Sequence, residues 1–144
     1  MVKRNKQKII SPFGYRHRKD GGKIIKEFHK GVDLRSWDKI IWKRQPVIFP
    51  QDCQVIRVGY QDKWGWNVVA KSLEGGFEFK FIHLKKPEVK ENEFYNEGEI
   101  IGYTTRTKYM IENNFGEHLH LEIRHDGSLI NPIQYFDMVG IKYG

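Results

Sequence analysis

Two short stretches of the chain place side chains at spacings that suit a metal ion. The first is His29-Lys30-Gly31-Val32-Asp33. On a helix, His29 and Asp33 would share a face, but Gly31 and β-branched Val32 oppose a helix there. In the alternative, Gly31 lets the chain bend and Val32-Asp33-Leu34 enters a strand, so that the histidine nitrogen and the aspartate oxygen converge. The second stretch is His118-Leu119-His120. In a strand, residues two apart point to one face. Leu119, Leu121 and Ile123 then face a core, while His118, His120, Glu122 and Arg124 share the other side. A solvated polar face with no role is the competing reading of that alternation. Together the two stretches offer three His or Asp ligands and one further His. Three protein ligands with a fourth position left to water describe a catalytic zinc site, whereas structural sites more often close with four ligands, commonly thiolates. Cys53 is the only cysteine, which excludes a thiolate-rich site and any intramolecular disulfide. An ion in such an open site lowers the pKa of a bound water to about 7 and polarises a carbonyl, and both effects suit amide hydrolysis.

The elements that must hold these residues read as short strands. Val47-Ile48-Phe49 and Cys53 to Val58 are separated by Pro50-Gln51-Asp52. Trp66 to Ala70 and Phe77 to Ile82 form a hairpin across Glu74-Gly75-Gly76. Glu99 to Tyr103 and Leu119 to Arg124 are two more strands, the second ending at an Asp126-Gly127 turn. A short helix is expected from Asn131, with Asn as cap and Pro132 in the first turn. The stretch from Arg35 to Arg44 fits either a helical face carrying Trp37, Ile40 and Ile41 or an irregular loop. These signals predict an all-β, or β-rich, single domain, closed or rolled.

The chain has 144 residues, enough for one domain. It has no run of 18 apolar residues, so no transmembrane helix is expected, and no apolar segment follows the basic start Met1 to Lys6, so no secretory leader is expected either. The net charge of +7 is uneven: residues 1–30 hold ten Lys or Arg against two acids, and the remainder is close to neutral. Residues 1–10 therefore read as a basic arm, either a solvated tail or a device for docking onto a polyanion. No aromatic residue precedes Phe13, which disfavours nucleic acid as that partner.

An ordered series of motifs runs through most of the chain: Ser11-Pro12-Phe13-Gly14-Tyr15-Arg16, Phe28-His29-Lys30-Gly31-Val32-Asp33-Leu34, Phe81-Ile82-His83-Leu84, Gly98 to Gly102, Gly116 to Arg124, and Asn131-Pro132. This series resembles the lysostaphin-type, or LytM-type, zinc endopeptidases that cut peptidoglycan peptides. The resemblance implies one zinc ion held by His29, Asp33 and His120, with His118 and His83 as the active-site histidines that handle the proton of the attacking water and the transition state. It implies a central antiparallel sheet with a groove over the metal, in a monomeric domain spanning residues 11–144. His83 would otherwise read as a packed core histidine on the aromatic side of its strand, with Phe77, Phe79 and Phe81. His17 and His125 match no functional motif and are expected at the surface.

Three segments depart from the family pattern: Thr104 to Phe115 carries no glycine, Arg35 to Gln45 is longer, and Pro87 to Asn96 replaces a short turn. They bear on substrate preference rather than on the metal. The substrate implied is a peptidoglycan peptide, with anionic wall contact through the basic arm, so the place of action is the cell wall. Without a leader, a phage or virion-associated lysis enzyme fits that place. The competing class is a non-catalytic relative that binds wall or activates an amidase. Such relatives lose metal ligands, and this chain keeps all of those implied.

Overall fold

Alternation of large apolar and polar side chains in the longest strands produces one broad antiparallel sheet. The computed structural model describes residues 1–144, apart from the side chain of Asp20. Its strands are β1 (Ile9–Ser11), β2 (Gly14–Asp20), β3 (Lys23–His29), β4 (Val32–Leu34), β5 (Trp37–Asp38), β6 (Lys43–Arg44), β7 (Val47–Ile48), β8 (Cys53–Gln61), β9 (Gly65–Ser72), β10 (Phe77–Leu84), β11 (Phe94–Tyr95), β12 (Ile100–Gly102), β13 (Leu119–His125) and β14 (Ser128–Ile130). Two helices, α1 (Lys108–Glu112) and α2 (Pro132–Val139), complete the chain. The main sheet runs β1-β4-β13-β10-β9-β8-β11, with β14 against β13, and the pairs β7–β12, β2–β3 and β5–β6 lie outside it. All of these pairings are antiparallel. The β-rich single domain expected from the sequence is the fold observed.

One face of the sheet is the core. Phe79, Phe81, Leu119, Leu121 and Ile123 are buried there. Tyr135 of α2 packs its ring edge-on against Phe77 and Phe79, and Phe49, just after β7, does the same against Phe81. Asn131 caps α2 as expected, its side chain accepting from the Ile133 amide at 3.1 Å. The helix stops at Gly140, which takes the left-handed conformation favoured after a last turn.

The opposite face of β13 and β10 carries the polar alternates. His120 stands opposite Asp33 on β4 and opposite Ile82 on β10. Gly31 makes the first of these pairings possible. A Cβ there would collide with the backbone of Leu121, so only glycine lets β4 run this close to β13.

Two expectations are corrected. Residues 1–10 are not a detached arm. Val2 is fully buried and bridges Val47, and the buried Gln7 side chain both accepts from the Val2 amide and donates to the Val2 carbonyl. The Gln7 backbone pairs with Lys142 and Gly144, and Ile9 and Ser11 pair with β4. The lysines between these anchors stay exposed, although the backbone that carries them is tied to the rest of the fold. The stretch from Arg35 to Arg44 is neither helix nor irregular loop but the hairpin β5–β6.

Candidate functional site

The polar face of β13, the end of β3 and strand β4 bring His29, Asp33 and His120 together. One ligand atom from each lies within 4.8 Å of the other two. His29 Nε2 is 3.2 Å from Asp33 Oδ1 and 3.2 Å from His120 Nδ1, and His120 Nδ1 is 2.9 Å from Asp33 Oδ1. Ligands bound tetrahedrally at zinc distances sit about 3.3 Å apart, so this triangle already has the size that ion requires.

The outer ring nitrogens are engaged in ways that fix the inner ones. His29 Nδ1 donates to the Pro12 carbonyl at 2.8 Å, which turns its Nε2 inward. His120 Nε2 donates to Glu122 Oε2 at 3.0 Å, which turns its Nδ1 inward. Such oxygen partners orient metal-binding imidazoles and raise their basicity. Asp33 is 8% exposed. Burial opposes its ionisation, but hydrogen bonds from His120 and His29 and the charges of His118 and His120 outweigh that and hold it well below the usual carboxylate range. Burial likewise lowers the His120 pKa, yet the hydrogen bonds to Asp33 and Glu122 win and push it up to about 8. The Arg16 guanidinium lies 3.6 Å from Asp33 Oδ2, the oxygen turned away from the triangle, and is braced by Glu27 at 2.8 Å.

His118 and His83 flank the triangle. His118 Nδ1 donates to the Gly116 carbonyl at 2.8 Å, and its Nε2 lies 3.6 Å from Asp33 Oδ1. His83 Nδ1 donates to the Trp64 carbonyl at 3.0 Å, and its ring meets that of His118 edge-on at 4.8 Å. Burial, with the neighbouring His118 charge, lowers the His83 pKa to about 4, so His83 is neutral near pH 7. Its Nδ1 keeps the proton, and its Nε2 is left as an acceptor.

His83 does not continue the aromatic row of its strand. The register between β10 and β9 slips between Ile82 and Leu84, and His83 sits in that bulge with φ of +75°. The extra residue turns the imidazole from the core side to the cleft side. Histidine is among the residue types that tolerate this left-handed conformation.

A cleft of about 560 Å³ covers all five residues. The hairpin β2–β3 contributes Arg16, His17 and Glu27 to its lining, so His17, expected only as a surface residue, stands at the rim. Trp64, Tyr109 and Phe115 form an aromatic wall with ring centroids 5.0 to 6.3 Å apart. Tyr109 comes from α1, which Thr107 caps by accepting from the Met110 amide. A second concavity, lined by Arg57, Glu78, Lys80 and Arg124, shares Glu122 with the cleft and offers a solvated face of mixed charge.

Sequence reading named Glu122 on the same face as His120 and Arg16 within a motif, but gave neither a role. The i, i+2 spacing of His120 and Glu122 was the signal for the first. The Arg16 contact depends on the β2–β3 hairpin, whose polar strands gave no hydrophobic alternation to read.

The fold and the cleft can be set beside known proteins. An uncharacterized metalloprotease of Haemophilus influenzae is 29% identical over 126 residues, covering 88% of this chain and 24% of that protein. The chain thus spans about a quarter of that relative's length. Among solved structures, a chain of the SpoIIIAH–SpoIIQ complex matches with a TM-score of 0.71 at 20% identity, over 93% of this chain and 95% of that one. LytU matches with a TM-score of 0.68 at 21% identity, over 92% and 86%. The catalytic domain of lysostaphin from Staphylococcus simulans matches with a TM-score of 0.64 at 20% identity, over 88% and 89%. At these identities the structural likeness establishes the fold. The sequence pattern of peptidase family M23 matches residues 27–132, a span that includes His29, Asp33, His83, His118 and His120, and on that match the chain belongs to peptidase family M23.

Proposed function

We propose that this domain is a zinc-dependent endopeptidase that hydrolyses peptide bonds in peptidoglycan. The observation that carries the reading is the convergence of three ligand atoms and two further imidazoles in one cleft. A purely wall-binding or amidase-activating role leaves that convergence without a purpose.

His29, Asp33 and His120 would hold the ion. When bound, zinc supplies a Lewis acid that polarises the scissile carbonyl and makes water nucleophilic at neutral pH. The chain's own residues do the rest. Arg16 occupies the second oxygen of Asp33, leaving Oδ1 to the centre. His83 and His118, each fixed at Nδ1 by a carbonyl, present Nε2 to the cleft, where the imidazole that accepts the proton of the attacking water can itself return it to the leaving amine, with the other beside it. The aromatic wall shields one side from water.

The experiment that tests this is digestion of purified peptidoglycan from several wall types, with mass spectrometry of the fragments, before and after chelation. New peptide termini that vanish with the metal support the reading. Intact walls throughout would overturn it.

Zinc loading itself has an expected signature. Purified protein should carry about one zinc per chain, as the ligand count dictates. In the metal-free protein His120 keeps its proton up to about pH 8, above the ordinary 6.5. Its pairing with the carboxylates therefore stabilises the metal-free fold below pH 6.5, and that contribution fades as pH climbs through 8. Zinc has to displace this proton, so affinity should rise with pH to about 8 and then level off. Calorimetric titrations in buffers of different ionisation heat read the released proton. Less than a tenth of a zinc after reconstitution, or an affinity flat over this range, contradicts the ligand set.

Contact with anionic wall material through Lys3, Lys6 and Lys8 belongs to the same proposal. Exchanging all three for glutamine leaves Val2 and Gln7 packed. Wall retention should weaken, most at low salt, with little change on a short soluble peptide. Retention equal to wild type at every ionic strength leaves these lysines as solvation.

A further inference from the structure

We propose that the tip of the β5–β6 hairpin is a docking wedge for a lipid bilayer whose surface carries anionic headgroups. Ile40, Ile41 and Trp42 are consecutive at the tip and are 91%, 54% and 72% exposed. Single exposed apolar residues are ordinary on a protein surface; three adjacent large ones on a projecting turn are not.

The tip is built to stay out. Asp38 Oδ1 accepts from the amides of Ile40 and Ile41 at 2.9 and 3.4 Å, which closes the turn beneath them. Trp42 has φ of +52°, a rare conformation for a bulky residue, and its ring meets Trp37 edge-on at 6.0 Å. Arg44 lies over the Trp37 ring and pairs with Glu117, which ties the hairpin's base to the segment just before His118. The backbone of β5 and β6 pairs within the hairpin and not with the main sheet. An apolar tip that could fold back onto the core has instead been held away from it.

Charge decides the occupant. Lys39 and Lys43 bracket the apolar triplet, and residues 39–44 contain no acid. Both lysines are exposed and make no ion pair among the described residues. An apolar apex inside a cationic collar is what an anionic bilayer accepts: aliphatic side chains enter the acyl region, tryptophan sits at headgroup level, and lysines meet phosphates. A glycan surface offers hydroxyls, for which two isoleucines have no complement.

The test uses the full chain and sedimentation with vesicles of phosphatidylcholine alone and of phosphatidylcholine with phosphatidylglycerol. Wild type should sediment with the anionic vesicles and less with the neutral ones. The I40S/I41S variant should lose at least about tenfold in partitioning, and K39E/K43E should lose the preference for anionic lipid. Brominated acyl chains should quench wild-type tryptophan fluorescence and do so less in Trp42→Phe, which checks the wedge with a near-isosteric change. All of these variants should melt as wild type does, because the residues changed are exposed. The proposal is overturned if wild type ignores both vesicle types, if I40S/I41S binds as well as wild type, or if the tip variants lose retention on purified peptidoglycan while vesicle binding is unchanged.

Discussion

Replacing His120 with alanine is expected to abolish metal binding and peptidase turnover together. Its Nδ1 is one corner of the ligand triangle, 2.9 Å from Asp33 Oδ1. Without it, two ligands remain, too few for a site that needs three. Asp33 and Glu122 each also lose a hydrogen-bond donor. The sheet should survive, because β13 pairs through its backbone and the His120 side chain points away from the core. Elemental analysis beside a wall-digestion assay reads both losses. Full zinc occupancy in the variant would remove His120 from the ligand set.

Replacing His118 with alanine should separate what His120→Ala joins. His118 Nε2 is 3.6 Å from Asp33 Oδ1, and its ring packs on His83 rather than closing the triangle. The variant should keep zinc and fold while turnover falls roughly a hundred- to ten-thousand-fold, the usual contribution of a positioned acid or base. KM should change little, since nothing in the wall of Trp64, Tyr109 and Phe115 is touched. Wild-type turnover with zinc bound, or a zinc-free variant, would falsify the assignment. His83→Asn is the companion, because asparagine also accepts a positive φ and keeps the bulge.

The residues of the candidate triangle could be placed from the sequence because they lie in or at the ends of regular strands. Period-two alternation put His118 and His120 on one side of Leu119 and Leu121, and Gly31 announced the bend before Asp33. Strands β8, β9 and β10 could be read for the same reason, with Gly75 and Gly76 marking the turn between the last two. Alternation alone misplaced His83, which the family resemblance had put among the active-site residues, because a bulge adds a residue without changing composition. Alternation put it beside Phe81, while the register slip put it in the cleft. The hairpin β2–β3 lacked an apolar face to reveal it, since its side chains alternate between half-buried and exposed positions. Helix α1 has five residues, too few for a helical period to register. In the N-terminal segment, a run of positive charge obscured two anchors, Val2 and Gln7, whose packing partners lie far along the chain.

Asp33 and His120 are 87 residues apart in sequence, yet they face each other across β4 and β13. Beyond β4 the sheet ends at β1, and the triangle spans the β4–β13 seam that joins this margin to the rest of the sheet. An ion seated there is a clasp as well as a reagent. It closes a long loop whose ends the unfolded chain keeps apart, and it favours the folded state by about 4 kcal/mol when free metal is a thousandfold above its Kd. Loss of the ion would then loosen the β4–β13 seam first, while the β8–β9–β10 ladder holds and the N-terminal segment keeps its bonds to Val47 and Lys142. Metal supply would thereby set how long the domain lasts as well as how fast it cuts.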